Sequence, residues 1–214
     1  MSEPRRAAPA GATARGVAIA ALVAAEGGAR ANLELPRLLS ESGLDQRDRA
    51  FATELAYGTL RMCRACDWLI GRFAKGELEP TVRAAARAGV YQIVYMRVPA
   101  YAAVSATVAE CPLRARALLN AVLRRVADLV EAGPLRWPGP GTKLSYPDWV
   151  LKQLGEDLGA ERAQAALEQM NMAASVAVRA DGYVQDPGSQ AVAEYMAALL
   201  DDRQPGPVLD LCAA

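Results

Sequence analysis

Along most of this chain the hydrophobic positions recur every three to four residues, and that spacing predicts helices. In "TARGVAIAALVAAEGG" the apolar positions Val17, Ile19, Ala20, Leu22 and Val23 run up to Gly27 and Gly28, a helix stop. Asp45 is placed to cap the next run, "DQRDRAFATELAYGTLRMCRACDWLIGRFAKG". There Phe51, Leu55, Leu60, Leu69 and Phe73 stand among charges, as in one long helix or two helices broken near Gly58. Pro80 suits the first turn of "PTVRAAARAGVYQIVYMR", with Val90, Ile93, Val94 and Met96 on its apolar side and Pro99 ending it. The clearest amphipathic segment is "PLRARALLNAVLRRVADLVEAG". At about 100° per residue, Leu118, Leu119, Val122, Leu123, Val126, Leu129 and Val130 share one arc, and Arg116, Asn120, Arg124, Asp128 and Glu131 the other. Gly133 and Pro134 close it. Residues 14–132 therefore predict a bundle of roughly five to seven helices.

The pattern then changes. "GPLRWPGPGTKLSYPDW" is proline-rich and reads as a linker, followed by two shorter helices around 147–158 and 160–171. "SVAVRA" alternates as a strand does, "DGYVQD" reads as a turn with a short extended piece, "GSQAVAEYMAALL" as a helix and "PVLDL" as a buried strand. A helix leading into a short hydrophobic strand is how an α/β domain begins.

Composition narrows the classes. With 214 residues, 52% of them hydrophobic, the chain can bury a sizeable core. No apolar run reaches the roughly 18 to 20 residues of a membrane helix, and the arginines of "MSEPRRAAPAGATARG" precede no apolar block, so the expected address is the cytoplasm, with no membrane partner. Net charge is zero, but it is unevenly spread: residues 1–136 hold 19 Lys/Arg against 13 Asp/Glu, and residues 137–214 hold 5 against 11. Only Lys75 among the basic residues of the first part is not arginine. The planar guanidinium suits phosphate, so a nucleic acid is a candidate partner; a solvated face with i,i+4 pairing is the plain alternative. Arg83, Arg87, Arg97, Arg114, Arg116, Arg124 and Arg125 are the candidate RNA-facing residues, with Tyr91, Tyr95 and Tyr101 the nearby aromatics.

Catalytic machinery is harder to find. The chain has no histidine, which excludes Ser-His and Cys-His pairs within it. Cys63 and Cys66 form a C-x-x-C, but Cys111 and Cys212 are distant, and a spacing of three within a helix favours packing on one face over a zinc or redox site. No metal is expected. The acidic pairs Glu156-Asp157 and Asp201-Asp202 read as solvated turns. "VLDLCAA" has the form of a strand opening into a nucleotide or S-adenosylmethionine site, and equally that of a plain core strand.

Taken in order, "RDRAFATELAYGTLR", "YQIVYMRVPAYAAV", "ALLNAVLRRV", "YPDWVLKQL", "YVQDPGSQAVA" and "VLDLCAA" resemble the bacterial 16S rRNA cytosine-5 methyltransferases of the Sun/Fmu type. The resemblance implies a mainly α chain: a NusB-like all-α RNA-binding bundle, a linker, and the start of a Rossmann-like α/β methyltransferase domain. The implied divisions are a disordered 1–12, the bundle at 13–133, the linker at 134–146, a helical pair with a shortened RNA-binding subdomain at 147–180, and the methyltransferase start at 181–214. By the same resemblance Cys212, Ala213 and Ala214 match the first residues of the loop that holds S-adenosylmethionine. The two cysteines that act on cytosine in the family lie beyond that loop. The chain is thus expected to be the 16S rRNA-binding part of such an enzyme, truncated within the cofactor motif and inactive alone. A stand-alone NusB-like RNA-binding or transcription-regulatory module and a helical protein-interaction domain are the alternatives.

Overall fold

The computed structural model describes residues 12–173 and 176–201. The expected strand at 207–211 and the loop positions Cys212, Ala213 and Ala214 lie outside the described residues, as does all but the last residue of the segment 1–12. The chain divides into two units, residues 1–171 and 172–214.

The first unit is all helical. Seven helices build its core: α1 (Ala14–Glu26), α2 (Ala31–Glu41), α3 (Gln46–Arg61), α4 (Cys63–Gly71), α5 (Pro80–Val94), α6 (Ala100–Ala109) and α7 (Leu113–Glu131). At the centre lies α5, which packs against α1, α3, α4, α6 and α7. Its sequence shows why. A helix touched from every side must be apolar and slim all round, and Ala84, Ala85, Ala86, Ala88 and Gly89 are buried together with Val82, Val90, Tyr91, Gln92 and Ile93. At Gly89 a Cβ would sit 2.6 Å from Leu123 Cδ1 of α7, so glycine lets the two helices approach. Gln92 is the one buried amide in this core, and its polar atoms are satisfied. Its Nε2 donates to Ala88 O and Thr107 Oγ1 at 3.0 and 2.9 Å, and its Oε1 accepts from Arg15 Nε at 2.7 Å.

Local signals explain most boundaries. Thr13 caps α1 by accepting from Gly16 N, and Asp45 caps α3 by accepting from Asp48 N at 2.8 Å. The α3–α4 break falls at Met62 rather than near Gly58, which is helical and buried. Its missing side chain serves another purpose: the Tyr91 ring crosses α3 there, and a Cβ on residue 58 would lie 2.5 Å from Tyr91 Cε1 and closer still to Cζ and the hydroxyl. Helix α5 stops at Val94, ahead of the expected end. Arg97 then takes a left-handed φ of 54°, Val98 N donates to Gln92 O, and Pro99 begins α6. On α7, Leu118 is exposed, and Ala115 and Ala127 take buried places beside Leu119, Val122, Leu123 and Val126.

Residues 134–171 belong to the same unit. Leu135 and Trp137 pack against the core, with Trp137 on Trp68 at a ring separation of 5.1 Å. A one-turn helix, α8 (Pro140–Lys143), rests on α4, and α9 (Asp148–Leu158) pairs with α10 (Ala160–Met170).

In the second unit Val178 and Val184 form an antiparallel bridge around a turn at Gly182, whose φ is 83°. Helix α11 (Pro187–Asp201) follows, and Asp186 caps it by accepting from Gly188 N and Ser189 N at 2.9 and 3.3 Å. Among the described residues there is no strand beyond this bridge, and the Rossmann-like part is not seen there. No helix among them is long and apolar enough to cross a membrane.

Candidate nucleic-acid interface

Helices α5 and α7 carry six of the seven candidate arginines, and the structure puts them to different uses. Arg87 is tied down on the α4 side of α5. Its Nε and Nη2 donate to the two Asp67 oxygens at 2.6 and 2.7 Å, and Nη1 reaches Glu26 at 3.4 Å. Burial works against its charge, yet the Asp67 hydrogen bonds and the nearby acids hold its pKa above the ordinary arginine value. Arg83 Nε lies 2.8 Å from Glu26 Oε1, an ion pair without hydrogen-bond alignment, and Glu77 stands at 3.9 Å. Both guanidinium charges are thus largely balanced within the protein.

Arg116 is also engaged. It donates to Cys111 O and Ala109 O at 3.0 and 2.8 Å, closing the C-terminal end of α6, where orphan carbonyls favour a cation. Arg114 reaches Glu79 at 2.8 Å from an exposed position. Arg124 donates to Asn120 Oδ1 at 3.2 Å, a weak contact within its own helix. Arg125 and Arg97 are exposed and form no ion pair or side-chain hydrogen bond among the described residues.

Arg124 lines a groove of about 710 Å³ between α6 and α7, with Tyr101, Ser105, Asn120, Asp128 and Glu131. Tyr101 is 79% exposed there, whereas Tyr91 is buried. The groove mixes signs, and the exposed cationic character of α7 rests on Arg124 and Arg125, with the charge of Arg114 shared with Glu79. At about 100° per residue Arg114 and Arg125 share one meridian, with exposed Leu118 between them along the helix.

Of the C-x-x-C pair, Cys66 belongs to the core and Cys63 is half-buried at its edge. Cys66 is fully buried, and Cys63 Sγ donates to Asp67 Oδ2 at 3.6 Å. Burial, followed by the Asp67 carboxylate, pushes the Cys63 thiol up to about 11, which leaves it protonated and unreactive near neutrality. Among the described residues no group of three or more acids, cysteines or histidines could hold a metal.

Sequence reasoning did not single out a cleft of about 490 Å³ on this unit, which gathers Arg61 and Lys143 with Tyr91, Tyr95 and Trp137. The signal was the apolar Trp137 in a proline-rich segment, which implies packing rather than a free tether.

This is a class of protein defined by its helices: an all-α bundle around a slim central helix, with arginines on the exposed side of its last long helix. The sequence model of the NusB family matches residues 12–128, more than half of the chain, and the chain belongs to that family. It is also similar to the ribosomal RNA small subunit methyltransferase B of Thermus thermophilus, at 38% identity over 145 residues, 65% of this chain and 34% of that protein. The protein of that name from Pseudomonas putida is 35% identical over 139 residues, 60% of this chain and 31% of its own. A Mycobacterium tuberculosis H37Rv protein whose name includes methyltransferase is 36% identical over 149 residues, 62% of this chain and 33% of that one. The chain spans about a third of the length of the curated relatives it matches.

Proposed function

We propose that this chain is the RNA-binding N-terminal part of a cytoplasmic, S-adenosylmethionine-dependent methyltransferase acting on cytosine C5 of 16S rRNA. The observation that carries this reading is the NusB family match over residues 12–128, joined to relatives named for small-subunit rRNA methylation. The geometry adds a surface. Arg97, Arg124 and Arg125 are the candidate arginines with the most charge left for a phosphate backbone, since Asp67 and Glu26 balance Arg83 and Arg87, Glu79 pairs with Arg114, and Arg116 holds the end of α6. The assigned cofactor positions, Cys212, Ala213 and Ala214, lie outside the described residues. What the described residues offer is RNA binding, and the 214 residues alone are proposed to transfer no methyl group.

The test is binding to a 16S rRNA stem-loop at several salt concentrations. Each phosphate contact contributes roughly 0.7 to 0.9 to the slope of log affinity against log salt, so Arg124→Glu with Arg125→Glu should weaken binding and flatten that slope by about 2. Binding insensitive to both salt and these substitutions would refute the α7 surface. Detectable methyl transfer by this chain would refute the division of labour. RNA binding of full strength with no role in methylation when the remainder of a relative is supplied would favour the stand-alone module.

A further inference from the structure

The 490 Å³ cleft opens beside the end of α5, between the end of α3, the segment 135–144 and the end of α10, wholly within the first unit. Its size falls within the range of small-molecule sites, about 300–1,000 Å³. Three features of its walls point to one kind of ligand. The first is flat aromatic surface: Tyr95 stacks on Tyr91 with ring centres 5.3 Å apart and planes 29° apart, and Trp137 lines the cleft from the segment after α7. The second is charge. Arg61 and Lys143 both line the cleft, and neither side chain has an ion pair or hydrogen bond among the described residues. The acid on the wall, Glu168, accepts from Gln164 Nε2 at 3.0 Å on its own helix.

The third is a pair of unsatisfied polar atoms. Four side-chain atoms among the described residues are hidden from water without a hydrogen-bond partner in the protein, and two of them, Tyr95 Oη and Asn171 Oδ1, belong to the walls of this cleft. Buried polar atoms are nearly always paired, so their concentration at one place calls for a partner. Asn171 Nδ2 donates to Leu144 O at 2.8 Å, which leaves Oδ1 as the free acceptor. The Tyr95 hydroxyl remains available as a donor.

We propose that this cleft binds a nucleotide. The base lies against the Tyr95 and Trp137 rings, its phosphate is held by Arg61 and Lys143, and on binding Tyr95 and Asn171 turn so that the hydroxyl and the amide oxygen, otherwise hidden from water, pair with the polar edge of the base. Neither half of the cleft accounts for the other. A purely apolar ligand would leave two cations and two polar atoms unused, and a bare phosphate would leave the aromatic wall uncovered. Stacking on aromatic rings accepts any base, so the shared chemistry is that of a nucleoside monophosphate, either free or as an unpaired residue of an RNA strand. The site is separate from the α7 arginines.

Tryptophan fluorescence of the full chain reads occupancy directly, because Trp137 lines the cleft; a Trp149→Phe background removes the exposed tryptophan. AMP, CMP, GMP and UMP are titrated alongside inorganic phosphate, single-stranded RNA of mixed sequence and the same RNA as a duplex. Saturable quenching by mononucleotides assigns a free nucleotide. Quenching by the single strand at far lower concentration, and not by the duplex, assigns an unpaired RNA residue. In either case Arg61→Glu with Lys143→Glu should weaken binding at least tenfold, and Tyr95→Phe should weaken it several-fold with the ring retained. The proposal is overturned if neither nucleotides nor the single strand quench, if phosphate reproduces the whole effect, or if Tyr95→Phe and the charge reversals leave the affinity intact.

Discussion

Replacing Gly58 with alanine sets two large effects of opposite sign against each other. In an exposed helix interior the change would stabilise by about 1 kcal/mol, because alanine loses less backbone freedom on folding. Gly58 is instead buried within α3, under the Tyr91 ring. An added methyl would stand 2.5 Å from Cε1 and still closer to Cζ and the hydroxyl, and a buried rigid ring has no free end to swing away. Tyr91 must move. It then gives up its 2.6 Å hydrogen bond to Glu54 Oε1, a bond to a carboxylate of about 1.5–3 kcal/mol, and overpacking adds about 1–3 kcal/mol. Set against the helix gain, the net loss is about 1.5–5 kcal/mol, or roughly 3–20 °C in melting temperature for a chain of this length.

Without the Tyr91 ring the effect of Gly58→Ala should change sign. Tyr91→Leu removes the atoms that a residue-58 methyl would strike, so Gly58→Ala in that background should stabilise by about 0.5–1 kcal/mol, and the two substitutions should couple by at least about 2 kcal/mol. Urea unfolding of the wild type, both single variants and the double variant measures it. Gly58→Ala that stabilises the wild type, or that destabilises both backgrounds equally, would show that the close approach of Tyr91 does not govern this position.

Two further outcomes follow from the same unit. Ser145→Ala removes the hydroxyl that accepts from Arg64 N at 2.9 Å, and should cost about 1 kcal/mol in urea unfolding, as loss of a helix N-cap does; an unchanged midpoint would contradict that role. Cys63, whose pKa the fold raises from 9.0 to about 11, should alkylate at pH 8 about a hundredfold more slowly in the native chain than in urea, read by peptide mass. Because the folded value is the higher one, its contribution to stability is full below pH 9 and is lost as pH rises towards 11.

Much of the bundle was legible because its helices carry their own punctuation. Asp45, Pro80 and the apolar arc of α7 act through neighbours three or four residues away, so the sequence displays them. Two helices escaped because their cues are absent or contrary. In α2, Pro36 reads as a breaker, yet the helix holds around it with Leu35, Leu38 and Leu39 in the core. In α6, "AYAAVSATVA" is too uniform in size and polarity to show a face, although Ala103, Val104 and Thr107 are buried. The fate of the arginines was hidden for a different reason. Arg87 is balanced by Asp67, twenty positions away, and by Glu26, sixty-one positions away, and no local pattern announces pairs of that span. Counting arginines predicts a basic surface; only their partners decide how much charge remains for RNA.

The segment after α7 makes the same point about linkers. Helix α4 starts at Cys63 directly after the break at Met62 and has no side-chain cap of its own. An uncapped start leaves backbone N–H groups without partners, and here the partner arrives from far along the chain. Ser145, held at a left-handed φ of 63°, places its hydroxyl 2.9 Å from Arg64 N and 3.5 Å from Ala65 N. Arg64 in turn donates to Tyr146 O and to both Asp148 oxygens, which holds the Asp148 carboxyl below its ordinary range. Trp137 and Leu135 bury their side chains on the same bundle. A run rich in proline and glycine therefore acts as a strap: it supplies the cap that α4 lacks, carries Lys143 to the cleft, and fixes where α9 begins. Proline here limits the conformations of the free segment, so that docking it costs less entropy than docking a flexible tether would.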